Sequence, residues 1–428
     1  MLIVHLADVH IGHRQYGLDQ RAEDYAQTFL RAIDKILELS QDDDIEHVVI
    51  AGDLFDTTRP TPASYITVID GLRKLAEAGI TVYVIRGNHE APVVNPVENP
   101  LKVLASMRLV KYLERDYVDL GKVRIVGHGC VYTEHQQKLY SALTNLLDPD
   151  KVNLVLLHQY VEGTPYLYYM PNVDYYAISS KLIRTLLDGR DAIFLCGHIH
   201  EHNLRHPDLP VIYSGSLEIW DSREFETYRY QNGKLVKVQE QAPKGFLLID
   251  VYEGSGKFRI KPIRIEHSRR MIKIELVYDY VDPISFRRDM TYILENFDIP
   301  EAYIQIEVIG KLREGFSTRD LQASQFRRMF RRALRADIKL EIEHENKLSN
   351  RNVSSKISRT YRGIEDIIRK AVKQVLGGDP DAEKISELLL QLIEKAEEGD
   401  KTSIMNLIEK YVGVNIKPEK DITSLLFG

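Results

Sequence analysis

Six short apolar runs dominate the first 200 residues: LIVHLA (2–7), IEHVVIA (45–51), ITVYVIR (80–86), KVRIVG (122–127), VNLVLLH (152–158) and DAIFLCG (191–197). Amphipathic stretches near 21–39, 62–78, 98–114, 135–147 and 179–188 separate them. Short continuous apolar runs suit strands buried on both faces, and strands alternating with helices require an α/β sheet, much of it parallel. Runs between about 210 and 265, such as VIYSG (211–215) and GFLLIDV (245–251), lack long helices between them. They are expected to complete a second sheet packed on the first, flanked by helices.

A chain of 428 residues exceeds one ordinary core. Near 268 the pattern changes. MIKIELV (271–277), a helix near 283–297, AYIQIEVIG (302–310), a helix near 317–335 and DIKLEIE (337–343) predict a compact βαβαβ unit. KLSNRNVSSKIS (347–358) reads as a polar linker, and three helices should follow. The expected division is 1–266, 267–345, a linker at 346–360 and a helical tail at 361–428. Two cysteines, Cys130 and Cys196, make neither a disulfide framework nor a zinc spacing, so a reducing, cytoplasmic setting is expected. No apolar run is long enough to cross a bilayer, and Leu2-Ile3-Val4 meets His5 and Asp8 too soon for a signal peptide.

The polar residues that follow the strands carry the chemistry. The runs end on Asp8 and His10, Asp53, Asn88 and His89, His158, and finally His198 and His200 within CGHIHEH. Ligands in open α/β sheets bind at the carboxyl ends of strands. Asp8, His10, Asp53, Asn88, His158, His198 and His200 exceed what one tetrahedral zinc needs. Mixed carboxylate, amide and imidazole donors suit octahedral divalent ions such as manganese or iron. One bridging carboxylate would hold two such ions about 3.5–4 Å apart, the arrangement for in-line displacement at phosphorus. The alternating His198 and His200 are then expected to serve different ions. His5, inside a strand, reads as a packed core histidine, Cys196 as a small core residue, and His202 and His206 as solvent-facing. His13 and Arg14 fit either a phosphate contact or a loop surface.

These residues resemble the calcineurin-like metallophosphoesterases, whose pattern is D-x-H, G-D, G-N-H-[DE], H and G-H-x-H. LADVHIGHRQY (6–16), AGDLFDTTRP (51–60), IRGNHE (85–90), CGHIHEH (196–202) and YSGSLEIWD (213–221) look more narrowly like the meiotic-recombination-eleven (Mre) family, called SbcD in bacteria, and its archaeal type. That resemblance implies a two-manganese DNA nuclease with 3′–5′ exonuclease and hairpin endonuclease activity, acting in double-strand-break repair near the nucleoid. It implies one manganese on Asp8, His10, Asp53 and His200, a second on Asp53, Asn88, His158 and His198, and His89 as the transition-state residue. It implies that the βαβαβ unit caps DNA. One position departs: many members have His where this chain has Asp56, and that His is tied to exonuclease action. Two other functions remain open, a phosphodiesterase for small molecules and a scaffold that chiefly bridges DNA ends.

Residues 311–335 hold eight Lys or Arg against Glu314 and Asp320, a local +6 in a chain of net charge −6. Phe326, Met329, Phe330, Ala333 and Leu334 are expected as the apolar stripe of one helix, leaving Arg327, Arg328, Arg331, Arg332 and Arg335 outward. That face suits a DNA backbone track, though a merely solvated face has the same pattern. The tail repeats helical apolar spacing at Ile364, Ile368 and Val372, at Leu388 and Leu392, and at Ile408. The resemblance makes this tail the seat of a Rad-fifty-type, SMC-like coiled-coil ATPase; this chain carries no G-x-x-x-x-G-K-[ST] loop of its own. It also implies a homodimer through helices near 62–78 and 98–114, with Tyr65, Ile69, Leu72, Leu101, Leu104 and Met107 as candidates. Ordinary packing on the sheet would use the same residues.

Overall fold

The computed structural model describes residues 1–91, 99–165, 175–253 and 256–343. The expected linker and the tail residues Ile364, Ile368, Val372, Leu388, Leu392 and Ile408 lie outside them.

Two six-stranded sheets form the larger part. The first runs Phe258–Arg264, Gly245–Val251, Leu2–Leu6, Ile45–Ile50, Thr81–Val84, Lys111–Tyr112. The second runs Leu204–Arg205, Val211–Tyr213, Ala192–Gly197, Val152–His158, Val123–Gly127, Asp116–Leu120. Strand periodicity sorts their side chains. Ile3, Val49, Tyr83, Leu154, Leu156, Ile193, Leu195, Leu247 and Ile249 interleave in one core between the two sheets. The alternate positions face helices: Val4, Val48, Ile50 and Val84 meet Phe29, Ile33, Leu72 and Leu104, whereas Val155, Leu157 and Phe194 meet Leu139, Leu143, Ile183 and Leu186. The fold is an α/β two-sheet sandwich flanked by helices. No helix among the described residues is long and apolar enough to cross a membrane.

Three sequence expectations are corrected. The strands between 210 and 265 do not together complete the second sheet. Gly245–Val251 enters the first sheet, antiparallel between Leu2–Leu6 and the edge strand Phe258–Arg264, because its apolar residues fit both that sheet's faces. Glu226–Gln231 and Lys234–Gln239 instead join a third sheet, in the order Lys234–Gln239, Glu226–Gln231, Met271–Val281, Tyr303–Leu312, Arg335–Glu343. The helix expected near 98–114 is short, Pro100–Ser106. It ends before Arg108, at φ 59°, and the chain returns as the edge strand Lys111–Tyr112.

The third correction concerns the basic segment. The βαβαβ unit forms, with parallel pairing throughout, and its first helix Pro283–Phe297 starts on a capping box from Asp282. The second crossover is not one helix to 335. Ala323–Met329 is helical and stops there. Asp298 then accepts the backbone N–H groups of Arg331, Arg332 and Ala333 at 3.1, 2.9 and 2.9 Å, which gives those donors a partner outside a helix. Phe326 and Phe330 enter the core of this unit, but Met329 is exposed and is not part of an apolar stripe. Arg327 and Arg328 are exposed on the helix, Arg331 and Arg332 on the turn after it.

A small apolar cluster of Ile219, Phe225, Met271 and Tyr303, with Tyr16 packed on it, joins the third sheet to the sandwich. Tyr16 and Tyr303 stack at 4.3 Å with 7° between their planes.

Candidate metal centre

The strands of both sheets end at one place, so five loops deliver their polar residues to a single buried point. Asp8 and His10 follow Leu2–Leu6, Asp53 follows Ile45–Ile50, and Asn88 and His89 follow Thr81–Val84. His158 ends its own strand, and His198 and His200 follow Ala192–Gly197. Tight turns at these ends demand unusual backbone. Asp8, His10, Asp53 and His198 have φ of 50°, 50°, 52° and 85°. Such left-handed residues persist where the surroundings over-determine them, typically at functional sites. Gly87 must be glycine, because a Cβ there would lie 2.0 Å from Asp53 Oδ1. Gly52, at φ 88°, would drive a Cβ to 2.4 Å from the His158 ring.

The donors meet closely. Asp8, His10 and His200 form one group, and Asp8, Asp53 and His158 another. His10, Asp53 and His89 form a third, so His89 stands within ligand reach as well as beside the ligands. His158 Nε2 lies 3.1 Å from Asp53 Oδ2 and 2.9 Å from Asn88 Oδ1. His198 Nδ1 lies 3.3 Å from the same Asn88 oxygen. His200 Nε2 faces Asp8 Oδ1 at 3.6 Å and His10 Nε2 at 3.3 Å. The turn between His198 and His200 thus sends one ring to Asn88 and the other to Asp8 and His10. Backbone donors hold the carboxylates: His198 N to Asp8, and His89 N to Asp53 at 2.9 Å.

The chemistry of this donor set fits divalent cations. Two imidazole nitrogens 3.3 Å apart need a proton or a cation between their lone pairs. Burial opposes ionisation of Asp53, yet His158, His10 and His89 hold its carboxyl well below the usual range. Burial raises Asp8, opposed by His158. Burial opposes charge on His158 as well, and Asp53 with Asp8 nevertheless lifts it to about 9. His89 also reaches about 9 against its burial, through Asp56 and Asp53. His200, by contrast, is pushed well down, first by burial and then by the neighbouring His10 and Lys244, so it stays neutral as a ligand must. The carboxylates require positive charge, and metal ions supply it without protonating the ligands.

Several supporting residues were given no supporting role by the sequence, although Glu90, Asp56 and Trp220 lie within the quoted motifs. Glu90 is fully buried and accepts Phe55 N at 2.9 Å and Gly87 N at 3.0 Å, tying the Asp53 loop to the Asn88 loop. Lys244, also buried, donates to His200 O and Ser216 Oγ, both at 2.9 Å. Trp220 packs against His10, His13 and His200, with ring centroids 4.4, 4.5 and 4.2 Å away. Asp56 collects His13, His10 and His89, whose Nδ1 atoms lie 3.0, 3.3 and 3.4 Å from its Oδ1. Against the cost of burial, those three rings keep Asp56 ionised far below the usual range. A cavity of 290 Å³ opens beside His200, walled by Trp220, Arg223, Lys244 and, from the third sheet, Gln239.

Other expected residues divide. His5 is a core histidine: burial lowers it to about 3. Cys196 is buried in the core beneath the helices of the second sheet. His206 was expected in solvent and is instead buried, with Nε2 3.1 Å from Glu162 O, because it opens the short strand turn that covers Gly163. His202 is half-buried and its Nδ1 meets Ser214 O at 2.8 Å. Among the candidates for contact with a second copy, Leu72, Leu101 and Leu104 are fully buried in this chain's own core, so they have no surface to offer. Tyr65 and Ile69 pack half-buried against that core, and Met107 is exposed, as are Ile66 and Val103 on the same two helices.

Residues 1–202 match the calcineurin-like phosphoesterase family. The chain is 31% identical over 265 residues to the DNA double-strand break repair protein Mre11 of Methanocaldococcus jannaschii, a match covering 58% of this chain and 62% of that protein. It therefore spans less than two thirds of that relative's length. The Mre11 protein of Sulfolobus acidocaldarius is 25% identical over 427 residues, 97% of this chain and 100% of its own. That of Sulfurisphaera tokodaii is 34% identical over 159 residues, 37% of this chain and 40% of its own.

Proposed function

Since the chain belongs to the calcineurin-like phosphoesterases of archaeal Mre11 type, we propose that it is a two-manganese DNA nuclease that processes double-strand breaks. The observation that carries this reading is the convergence of seven donors from five strand ends, with His89 beside them. Asp8, His10, Asp53 and His200 would hold one ion, and Asp53, Asn88, His158 and His198 the other. The ions would supply an activated water and neutralise charge on the phosphoryl oxygens. The chain's own residues do the rest. Asp53 holds both halves of the site together. His89 Nδ1 is engaged by Asp56 O at 3.0 Å, which turns the opposite ring nitrogen toward the substrate to stabilise the transition state or protonate the leaving oxygen. His89→Gln should lower the cleavage rate about 10²–10⁴-fold while manganese binding, followed by calorimetry, stays intact.

The third sheet, enlarged by the 226–239 hairpin, would cap the DNA, and Arg327, Arg328, Arg331 and Arg332 would meet its backbone. The tail would take the coiled-coil ATPase. Truncation at residue 360 should abolish capture of that ATPase in a pull-down, and undiminished capture counts against it. A homodimer would use the exposed Ile66, Val103 and Met107 beside Tyr65 and Ile69. The deciding experiment is manganese-dependent digestion of 3′- and 5′-labelled duplexes and a hairpin, with a nucleotide ester alongside. Cleavage of the ester alone would favour a small-molecule phosphodiesterase, and untouched DNA would overturn the nuclease reading.

A further inference from the structure

His13 lies outside the ligand set, yet its ring is fixed more tightly than a surface loop requires. Its backbone N–H donates to His10 O at 3.0 Å, closing a turn in which Gly12 takes φ 97°. Its Nδ1 lies 3.0 Å from Asp56 Oδ1. One face stacks on Trp220, with centroids 4.5 Å apart and planes at 22°. Tyr25 meets it edge-on at 5.2 Å. The supports are themselves held in place, and Tyr25 is fully buried. Trp220 O accepts from Gln15, and the preceding Ile219 O accepts from Arg21 at 3.1 Å and Tyr25 at 2.9 Å. What remains is the opposite ring nitrogen, Nε2, on a side chain that stays 22% exposed. His89, held by the same Asp56 oxygen, is 31% exposed. Two imidazoles on one carboxylate therefore present their free edges beside the metal ligands.

We propose that His13 is a substrate-contacting residue: held by Asp56 and Trp220, its Nε2 binds a phosphate of the DNA strand next to the one undergoing cleavage. This rests on the nuclease reading above. The neighbouring phosphate fits because the His13 ring centre is 6.3 Å from that of His10, too far to share the metal-bound group but close enough for the next link. With Nδ1 turned to Asp56, Nε2 is the ring edge left to meet a phosphate oxygen. The Asp56 carboxylate thus brings in a histidine from the Asp8 loop.

The test measures binding of a fluorescently labelled DNA hairpin by anisotropy as salt is varied, in the slow-cutting His89→Gln background with manganese present. His13→Ala should weaken binding about tenfold and lower the slope of log affinity against log salt by about 1. His13→Arg should restore the slope. Manganese affinity, titrated without DNA, should stay within about twofold in His13→Ala, since the ring is not a ligand. An unchanged slope in His13→Ala, or a fall in manganese affinity as large as the fall in DNA affinity, overturns the proposal. A chain that binds DNA without cutting it would fail the nuclease reading, but the slope would still decide His13.

Discussion

Asp53→Ala should leave a folded chain that binds at most one manganese and cuts DNA about 10³-fold more slowly or worse. The carboxylate sits between both halves of the centre, 3.1 Å from His158 Nε2 and 3.8 Å from His10 Nε2. It also accepts His89 N, so it sets the Asn88–His89 loop. Losing a bridging ligand removes several kcal/mol of charge stabilisation at the transition state, and about 4 kcal/mol corresponds to that 10³-fold loss. Folding should survive because the strands on either side are held by fully apolar cores, and removing one buried carboxylate relieves the crowding of Asp8 against Asp53. Calorimetric manganese stoichiometry and a thermal melt check the two halves of this expectation. Two ions still bound with wild-type cleavage would dismiss Asp53 as the bridge.

Arg21→Ala should cost stability instead, about 3–5 kcal/mol, because it strips the partner from buried acids. Arg21 is fully buried and bonds Asp24 at 2.7 Å, Gln15 at 2.9 Å and Ile219 O at 3.1 Å, with Glu218 at 3.4 Å. Burial works against the Glu218 carboxylate, but Arg21, the Ile219 N–H and Thr28 hold it below its ordinary value. A carboxyl depressed in the fold contributes stability above its unfolded pKa and loses it as pH falls through the folded one. The wild type should therefore lose this contribution on acidification below the ordinary glutamate range, near pH 4. Glu218→Gln should flatten that part of the profile. Denaturant unfolding of both proteins across acid pH measures it. Because the same network seats Ile219 and Trp220, Arg21→Ala should also loosen the ring stack on His10 and His13, visible as a shift in the fluorescence of the chain's one tryptophan.

Much of the fold was legible because burial imposes period. The first three strands and the helices over 19–39 and 62–77 follow the apolar runs closely. The misplacements have a common cause. Whether Gly245–Val251 joins one sheet or another depends on which edge is open, and Glu226–Gln231 is pulled to the third sheet by a strand 40 residues later. The basic helix ends early because Asp298, far upstream, captures three N–H groups. His206 was misjudged for the same reason, and Leu104 fell to sheet packing, the alternative left open for it: depth belongs to the assembled fold.

From the sequence alone came the inventory of donors and their order, since a Gly-Asp or Gly-Asn-His after an apolar run states both the tight turn and the ligand it carries. Only the tertiary structure set the partners. It put Asp56 under three rings, Trp220 over two of them, Glu90 between two loops and Lys244 behind His200. Such residues act through neighbours contributed by distant parts of the chain. A local pattern records which way a backbone turns, but side-chain proximity arises only when two sheets close face to face.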